Sequence, residues 1–134
     1  MNKEISIQNS VAFVSGANRG IGKAIAEELL SKGVKKVYAG ARKPESLLKL
    51  KEKHGDRFVS VKLDVTDQDS VEHAAEIASD ASMLINNAGV LVIGGYRAKN
   101  ITDTLKQNIE VNVLGVARLT QAFLPHIESK PNAV

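Results

Sequence analysis

The 134-residue sequence has no cysteine. That excludes a disulfide framework and a thiolate nucleophile, and it suits a reducing compartment. Charge of one sign is scarce too: 18 Lys+Arg stand against 15 Asp+Glu, a net charge of +3. The densest cluster, "KLKEKHGDR", carries Glu52 and Asp56 and reads as the solvated end of a helix. No basic block marks a nucleic-acid partner. Long apolar runs are absent as well, and no window approaches the ~18 residues a membrane span needs. The first ten residues, "MNKEISIQNS", show no apolar core and no small-residue cleavage signal. The expectation is a soluble cytoplasmic protein with no membrane or nucleic-acid partner. Its three histidines, His54, His73 and His126, are far apart, and no metal site is expected. Asp64, Asp67 and Asp69 cluster, but charge at a helix N-terminus accounts for Asp67 and Asp69.

What is present is a 43% apolar composition, enough for one real core. Residues 10–15 read as a strand, and a helix follows from Ile21 with Ile21, Ala24, Ile25 and Leu29 on one face. Gly33 is placed to stop it. "KKVYAGAR" reads as a second strand and "KPESLLKLKEKHG" as a helix, with Pro44 in its first turn and Gly55 at its end. "RFVSVKL" alternates as a third strand. "DVTDQDSVEHAAEIASD" is a third helix with Thr66 as its expected cap. "SMLIN" is a fourth strand, and a loop runs from 89 to about 101. From there to Ser129 a long helix is expected, broken early, with Ile109, Val113, Val116, Thr120 and Phe123 on its apolar face. "KPNAV" reads as a loop entering another strand. The alternation predicts an α/β fold, a doubly wound parallel sheet with helices on both faces. Such sheets commonly carry six strands, so residues 1–134 read as the N-terminal part of one.

The first strand runs into "VSGANRGIG", with glycines at Gly16, Gly20 and Gly22. A strand, a glycine turn and a helix N-terminus together present free N–H groups to a pyrophosphate. The alternative is a purely structural tight turn. About 20 residues on, dinucleotide sites commonly carry an acid for the ribose hydroxyls. Here the second strand ends Gly40-Ala41-Arg42. Arg42, with Arg19 in the turn, suits a 2′-phosphate and hence NADP rather than NAD; the alternative is two ordinary surface arginines.

Four segments in order resemble the classical short-chain dehydrogenase/reductase family, with its Rossmann-like fold. "SGANRGIG" is similar to its T-G-x-x-x-G-x-G motif, with serine for threonine. "LDVTD", "NNAG" and "NVLG" are similar to its adenine-contacting, strand-four and catalytic-asparagine segments. The resemblance implies an NADP-binding role for Ser15, Gly16, Asn18, Arg19, Gly20, Ile21, Gly22 and Arg42. It places Asp64 and Val65 beside the adenine, and Asn87, Ala88 and Gly89 beside the adenosine and its ribose. Ser15 and Asn86 would tie adjacent strands and loops. Asn112 would kink the long helix and hold a water of the proton relay. The implied activity is hydride transfer between nicotinamide and a carbonyl or alcohol substrate, in a homo-oligomer. The family's catalytic serine and Tyr-x-x-x-Lys pair are expected beyond Val134. Tyr38 lies in a strand, and Tyr96 has Asn100, not lysine, four residues on. A non-catalytic dinucleotide-binding module is the alternative, and an inactive partner subunit a third reading.

Overall fold

A computed structural model describes residues 6–134. Met1–Ile5, on which the reading of the N-terminus partly rests, lie outside the described residues. Strands β1 (Val11–Ser15), β2 (Lys36–Ala41), β3 (Phe58–Lys62) and β4 (Met83–Ile85) form one sheet in the order β3-β2-β1-β4. All three pairings are parallel. Helices α1 (Gly20–Ser31), α2 (Leu48–His54) and α3 (Gln68–Ile77) connect the strands. Short 3-10 turns precede α2 at Pro44–Leu47 and follow it at Gly55–Arg57. After β4 come α4 (Ile101–Ile109), a π turn (Glu110–Gly115) and α5 (Val116–Glu128). At the outer edge of β4, the Val134 N–H donates to Ser82 O at 2.8 Å and Val134 O accepts from Leu84 N at 3.0 Å. That straddling of residues two apart is how a parallel ladder begins.

The period-two alternation of the strands divides the core into two layers. Ala12, Val14, Val37 and Ala39 face α1 and α2, packing with Ala26, Leu30, Leu47 and Leu50. Phe13, Tyr38 and Val61 face α3 and α5, packing with Val71, Ala74, Leu119 and Phe123. The rings of Phe13 and Phe123 meet at 4.6 Å between centroids, which joins the sheet to α5. Both faces are covered, as a parallel sheet requires.

Three local expectations are corrected. In α1 the buried positions are Gly22, Ala26 and Leu30, while Ile21 is 74% exposed and Ala24 is exposed. Ile25 and Leu29 of the expected face do pack against the core, so that face is displaced toward Gly22, Ala26 and Leu30 and only Ile21 and Ala24 fall outside it. In α3 the cap is Asp67, whose carboxylate accepts from Asp69 N and Ser70 N. The Thr66 hydroxyl is instead committed to Asp64 Oδ1 at 2.7 Å. The long helix is continuous, and the expected early break is a π turn within it. A π turn holds an extra residue and rotates the face that follows. The buried line therefore runs Thr104, Gly115, Leu119, Phe123, Ile127, and Ile109 and Val113 are exposed. Pro125 is carried inside α5 without ending it.

Candidate cofactor site

The site begins where β1 ends. Ser15 is buried, and its hydroxyl accepts from the backbone N–H of Asn87 and of Ala88, both at 2.9 Å. It donates to Ile85 O at 3.3 Å. The Asn87 side chain completes the tie, with Nδ2 donating to Ser15 O at 3.1 Å and Gly16 O at 3.2 Å. The expected tie through Asn86 is not formed: Asn86 Nδ2 donates to Thr120 Oγ1 at 3.1 Å, on α5. Asn87 does that work because its neighbour in the chain faces the other way in extended backbone.

The turn is held on its other flank by Ala17, which is buried and donates from its N–H to Gly40 O at 3.1 Å. Asn18 is half-buried, and Arg19 is exposed and extended at φ −156°. Gly20 then opens α1 with φ +56°, a conformation that glycine adopts without the Cβ penalty. An atom added at Gly20 meets nothing within 4 Å, so its surroundings are open. Gly22 differs: a Cβ there would collide with the Gly16 carbonyl and Asn87 Nδ2. No side chain caps the N-terminus of α1. Its first N–H groups and positive dipole end are turned toward the open side of the turn.

Beyond β2 and β3 the site continues through Arg42 and Asp64. Among the described residues the Arg42 and Arg19 guanidiniums have no hydrogen-bond or ion-pair partner. Hydrogen bonds from the Thr66 hydroxyl and N–H hold the Asp64 carboxyl below the usual carboxylate range. The Arg42 charge acts in the same direction, and burial acts against both. Val65 is buried and packs against Gly115 of the π turn, where an added Cβ would lie 2.7 Å from Val65 Cγ2. Arg118 braces the same place, donating to Val65 O at 3.2 Å and pairing with Glu110 at 2.6 Å.

A cavity of about 650 Å³ opens here, lined among others by Arg42, Thr66, Val90, Val92, Lys106 and Glu110. Asn112, in the π turn, does not point freely into it. Its side chain accepts from Val90 N at 2.9 Å and donates to Val90 O at 2.7 Å. Asn108 makes the same pair of bonds with Val92, both at 3.0 Å. Sequence reasoning did not single out Asn108; its spacing of four from Asn112 was the available signal. Gly89 lies beside Asn112, within 3.3 Å of its Oδ1 for an added Cβ.

A second cavity, of about 630 Å³, lies at the N-terminal ends of the strands near Val11, Lys36, Asp80 and Ser82. Two of its cations are already occupied there: Arg57 donates to Leu30 O and Val34 O, and Lys130 to Ser79 O and His126 O. Open α/β sheets place ligands at the carboxyl ends of their strands, which is the Arg42 side. Tyr38 belongs to the N-terminal end, bonded to Lys36 and Asp80, and Tyr96 is 94% exposed in the loop after β4. Among the described residues no cluster of three metal-ligating side chains exists, and no helix is long and apolar enough to cross a membrane.

The family model described as short chain dehydrogenase matches residues 10–134. The chain belongs to the short chain dehydrogenase family. An oxidoreductase of Botryotinia fuckeliana is 38% identical over 118 residues, 84% of this chain and 42% of that protein. An NADPH-dependent 3-dehydrocapnine reductase of Ornithobacterium rhinotracheale is 38% identical over 119 residues, 84% of this chain and 41% of that protein. A crystal structure of a short chain dehydrogenase from Burkholderia cenocepacia, in complex with NADP, superposes with a TM-score of 0.84 at 38% identity. That match covers 92% of this chain and 51% of the other. This short chain dehydrogenase chain thus spans about half, or less, of the length of each of these proteins.

Proposed function

We propose that this chain binds NADP(H), as the cofactor-holding part of an oxidoreductase that reduces a carbonyl or oxidises an alcohol. The observation that carries the reading is the pairing of an open, uncapped α1 N-terminus with an Arg42 at the cavity that has no partner among the described residues, and no acid at Ala41. The first suits a pyrophosphate and the second a 2′-phosphate. The residues present fit the group: Gly20 leaves room for close approach, and Gly16 and Gly22 let the turn pack on Asn87 and Ala88. Arg19, Asn18 and Ile21 would flank the pyrophosphate, Asp64 and Val65 the adenine, and Asn87, Ala88 and Gly89 the adenosine ribose. The Ornithobacterium reductase is NADPH-dependent and the Burkholderia dehydrogenase holds NADP, which supports the same cofactor here.

When bound, the nicotinamide would supply or accept the hydride; this chain's residues bind and orient it. Asn112 places the π turn against the segment after β4, in the assignment where it serves the proton relay. The family's serine and Tyr-x-x-x-Lys pair would lie outside these residues, and residues 1–134 form the cofactor-binding part of the domain. Because Tyr38 is tied to Lys36 and Asp80 at the far end of the sheet, these residues taken alone favour binding without turnover. The exposed line Leu105, Ile109 and Val113, at steps of four, fits a helix face covered by a second copy in a homo-oligomer. The absence of cysteine fits a cytoplasmic location.

The test is titration of the protein with NADPH and NADH, before and after Arg42→Asp. Saturable binding with NADPH preferred by about tenfold or more is expected, and loss or reversal of that preference in the variant. No saturation at millimolar cofactor removes the binding role, and an unchanged ratio removes Arg42 from it.

A further inference from the structure

We propose that Asn108 is a positioning residue of the cofactor cavity, holding Val92 in its wall through a ladder shared with Asn112. The proposal rests on the cavity's reading as a cofactor site. The segment after β4 belongs to no strand, yet it runs extended along the long helix in a regular register. Val90 meets Asn112 and Val92 meets Asn108, each through one accepted and one donated backbone hydrogen bond of 2.7–3.0 Å. Two residues further on, a Cβ at Gly94 would sit 3.4 Å from Thr104 Oγ1. The loop advances by two as the helix recedes by four, twice in succession across three meeting points.

The match has a physical basis. Within α4, the four residues from Thr104 to Asn108 rise about 6 Å, close to the rise of about 6.6 Å for two extended residues, and the π turn carries the next amide, Asn112, to Val90. A helix with amide side chains every four residues therefore presents donor–acceptor pairs at nearly the spacing of an extended chain. Each asparagine amide supplies the N–H and C=O that a neighbouring strand would otherwise supply. The segment 90–94 is in effect paired, although no strand lies beside it.

Asn108 is wholly committed to this role. Its Oδ1 accepts from Val92 N, and its Nδ2 donates to Val92 O and to Thr104 O at 2.9 Å. Both amide hydrogens and the acceptor are used within the protein, so the side chain acts on a ligand only through Val92. Val90 and Val92 line the cavity together with Arg42 and Thr66. Asn112 fixes the near end of that wall and Asn108 the far end.

The experiment pairs amide hydrogen exchange with NADPH titration in Asn108→Ala. Exchange at the Val92 amide should rise about tenfold, while the Val90 amide, still held by Asn112, stays protected. NADPH affinity should fall by about three- to thirtyfold. Asn108→Asp keeps the acceptor for Val92 N but sets a carboxylate oxygen against the Val92 and Thr104 carbonyls, so it should move both readouts in the same direction; it serves if the alanine variant does not fold. Thr102→Ala, on the exposed side of α4, should change neither. Unchanged exchange at Val92 overturns the ladder. Raised exchange with unchanged affinity overturns the positioning role. A protein that binds no NADPH at all removes the cofactor reading instead, and exchange at Val92 still decides the ladder.

Discussion

Ser15 and Asn87 hold each other at two points: the Asn87 N–H donates to Ser15 Oγ at 2.9 Å, and Asn87 Nδ2 donates to Ser15 O at 3.1 Å. The pair joins the end of β1, where the glycine turn begins, to the segment that leads into the cavity wall.

Removing the Ser15 hydroxyl leaves two backbone N–H groups, those of Asn87 and Ala88, without their acceptor. Ser15 is 1% exposed, so water does not readily replace it. Ser15→Ala should cost about 1–3 kcal/mol in denaturant unfolding. A loss under about 0.5 kcal/mol would show that the two donors find other partners.

The glycines of the turn should respond unequally. Gly20→Ala meets only the backbone penalty of φ +56°, about 1–2 kcal/mol, because its surroundings are open. Gly22→Ala forces an atom against the Gly16 carbonyl and Asn87 Nδ2, and backbone has little room to yield. Its loss should exceed that of Gly20→Ala and extend to the Ser15–Asn87 tie, seen as faster amide exchange at Asn87 and Ala88. Equal losses from the two variants would contradict the packing role of Gly22.

The layered fold was legible in the sequence because strand and helix periods alternate cleanly between turn residues such as Gly33 and Gly55. Motif order also pointed to the candidate site, since Ser15, Gly16, Asn87 and Ala88 come together at the carboxyl ends of β1 and β4. What failed was the phase of a helical face. Gly22 and Ala26, not Ile21 and Ala24, meet the sheet in α1 beside Ile25, Leu29 and Leu30, because period alone does not say which edge of an apolar stripe turns inward. The π turn was hidden because its extra residue leaves no mark in composition, yet it turns Ile109 and Val113 outward. Asn87 replaced Asn86 in the tie because one residue of register reverses the face in extended backbone. Asn108 was missed because an amide at helical spacing reads as ordinary surface until the segment it holds is seen.

At the N-terminal ends of the strands, Lys36, Tyr38 and Asp80 form a closed triangle of hydrogen bonds of 2.7–2.9 Å. Bonds to Asp80 and Tyr38 raise the Lys36 ammonium above its usual range, against burial. Burial pushes the Asp80 carboxyl up, but the bonds from Lys36 and Tyr38 outweigh it and hold it below the usual range. Burial raises the Tyr38 hydroxyl, which stays a donor. The Asp80 contribution to stability is therefore full above the unfolded carboxylate value, about pH 4, and is lost as pH falls through the lower folded value. The Lys36 contribution is full below about pH 10 and is lost as pH rises through the higher folded value. Denaturant unfolding across pH should show that Asp80→Asn loses part of the acid limb of the wild-type profile and part of the alkaline one. Asp64 and Glu27, also held low, keep the remainder of the acid limb. Tyr38→Phe leaves the Lys36–Asp80 pair at 2.7 Å and should lower the neutral plateau by about 0.5–1.5 kcal/mol while shrinking both limbs without abolishing either. Identical acid limbs in wild type and Asp80→Asn would show that the triangle contributes nothing to the pH dependence of folding.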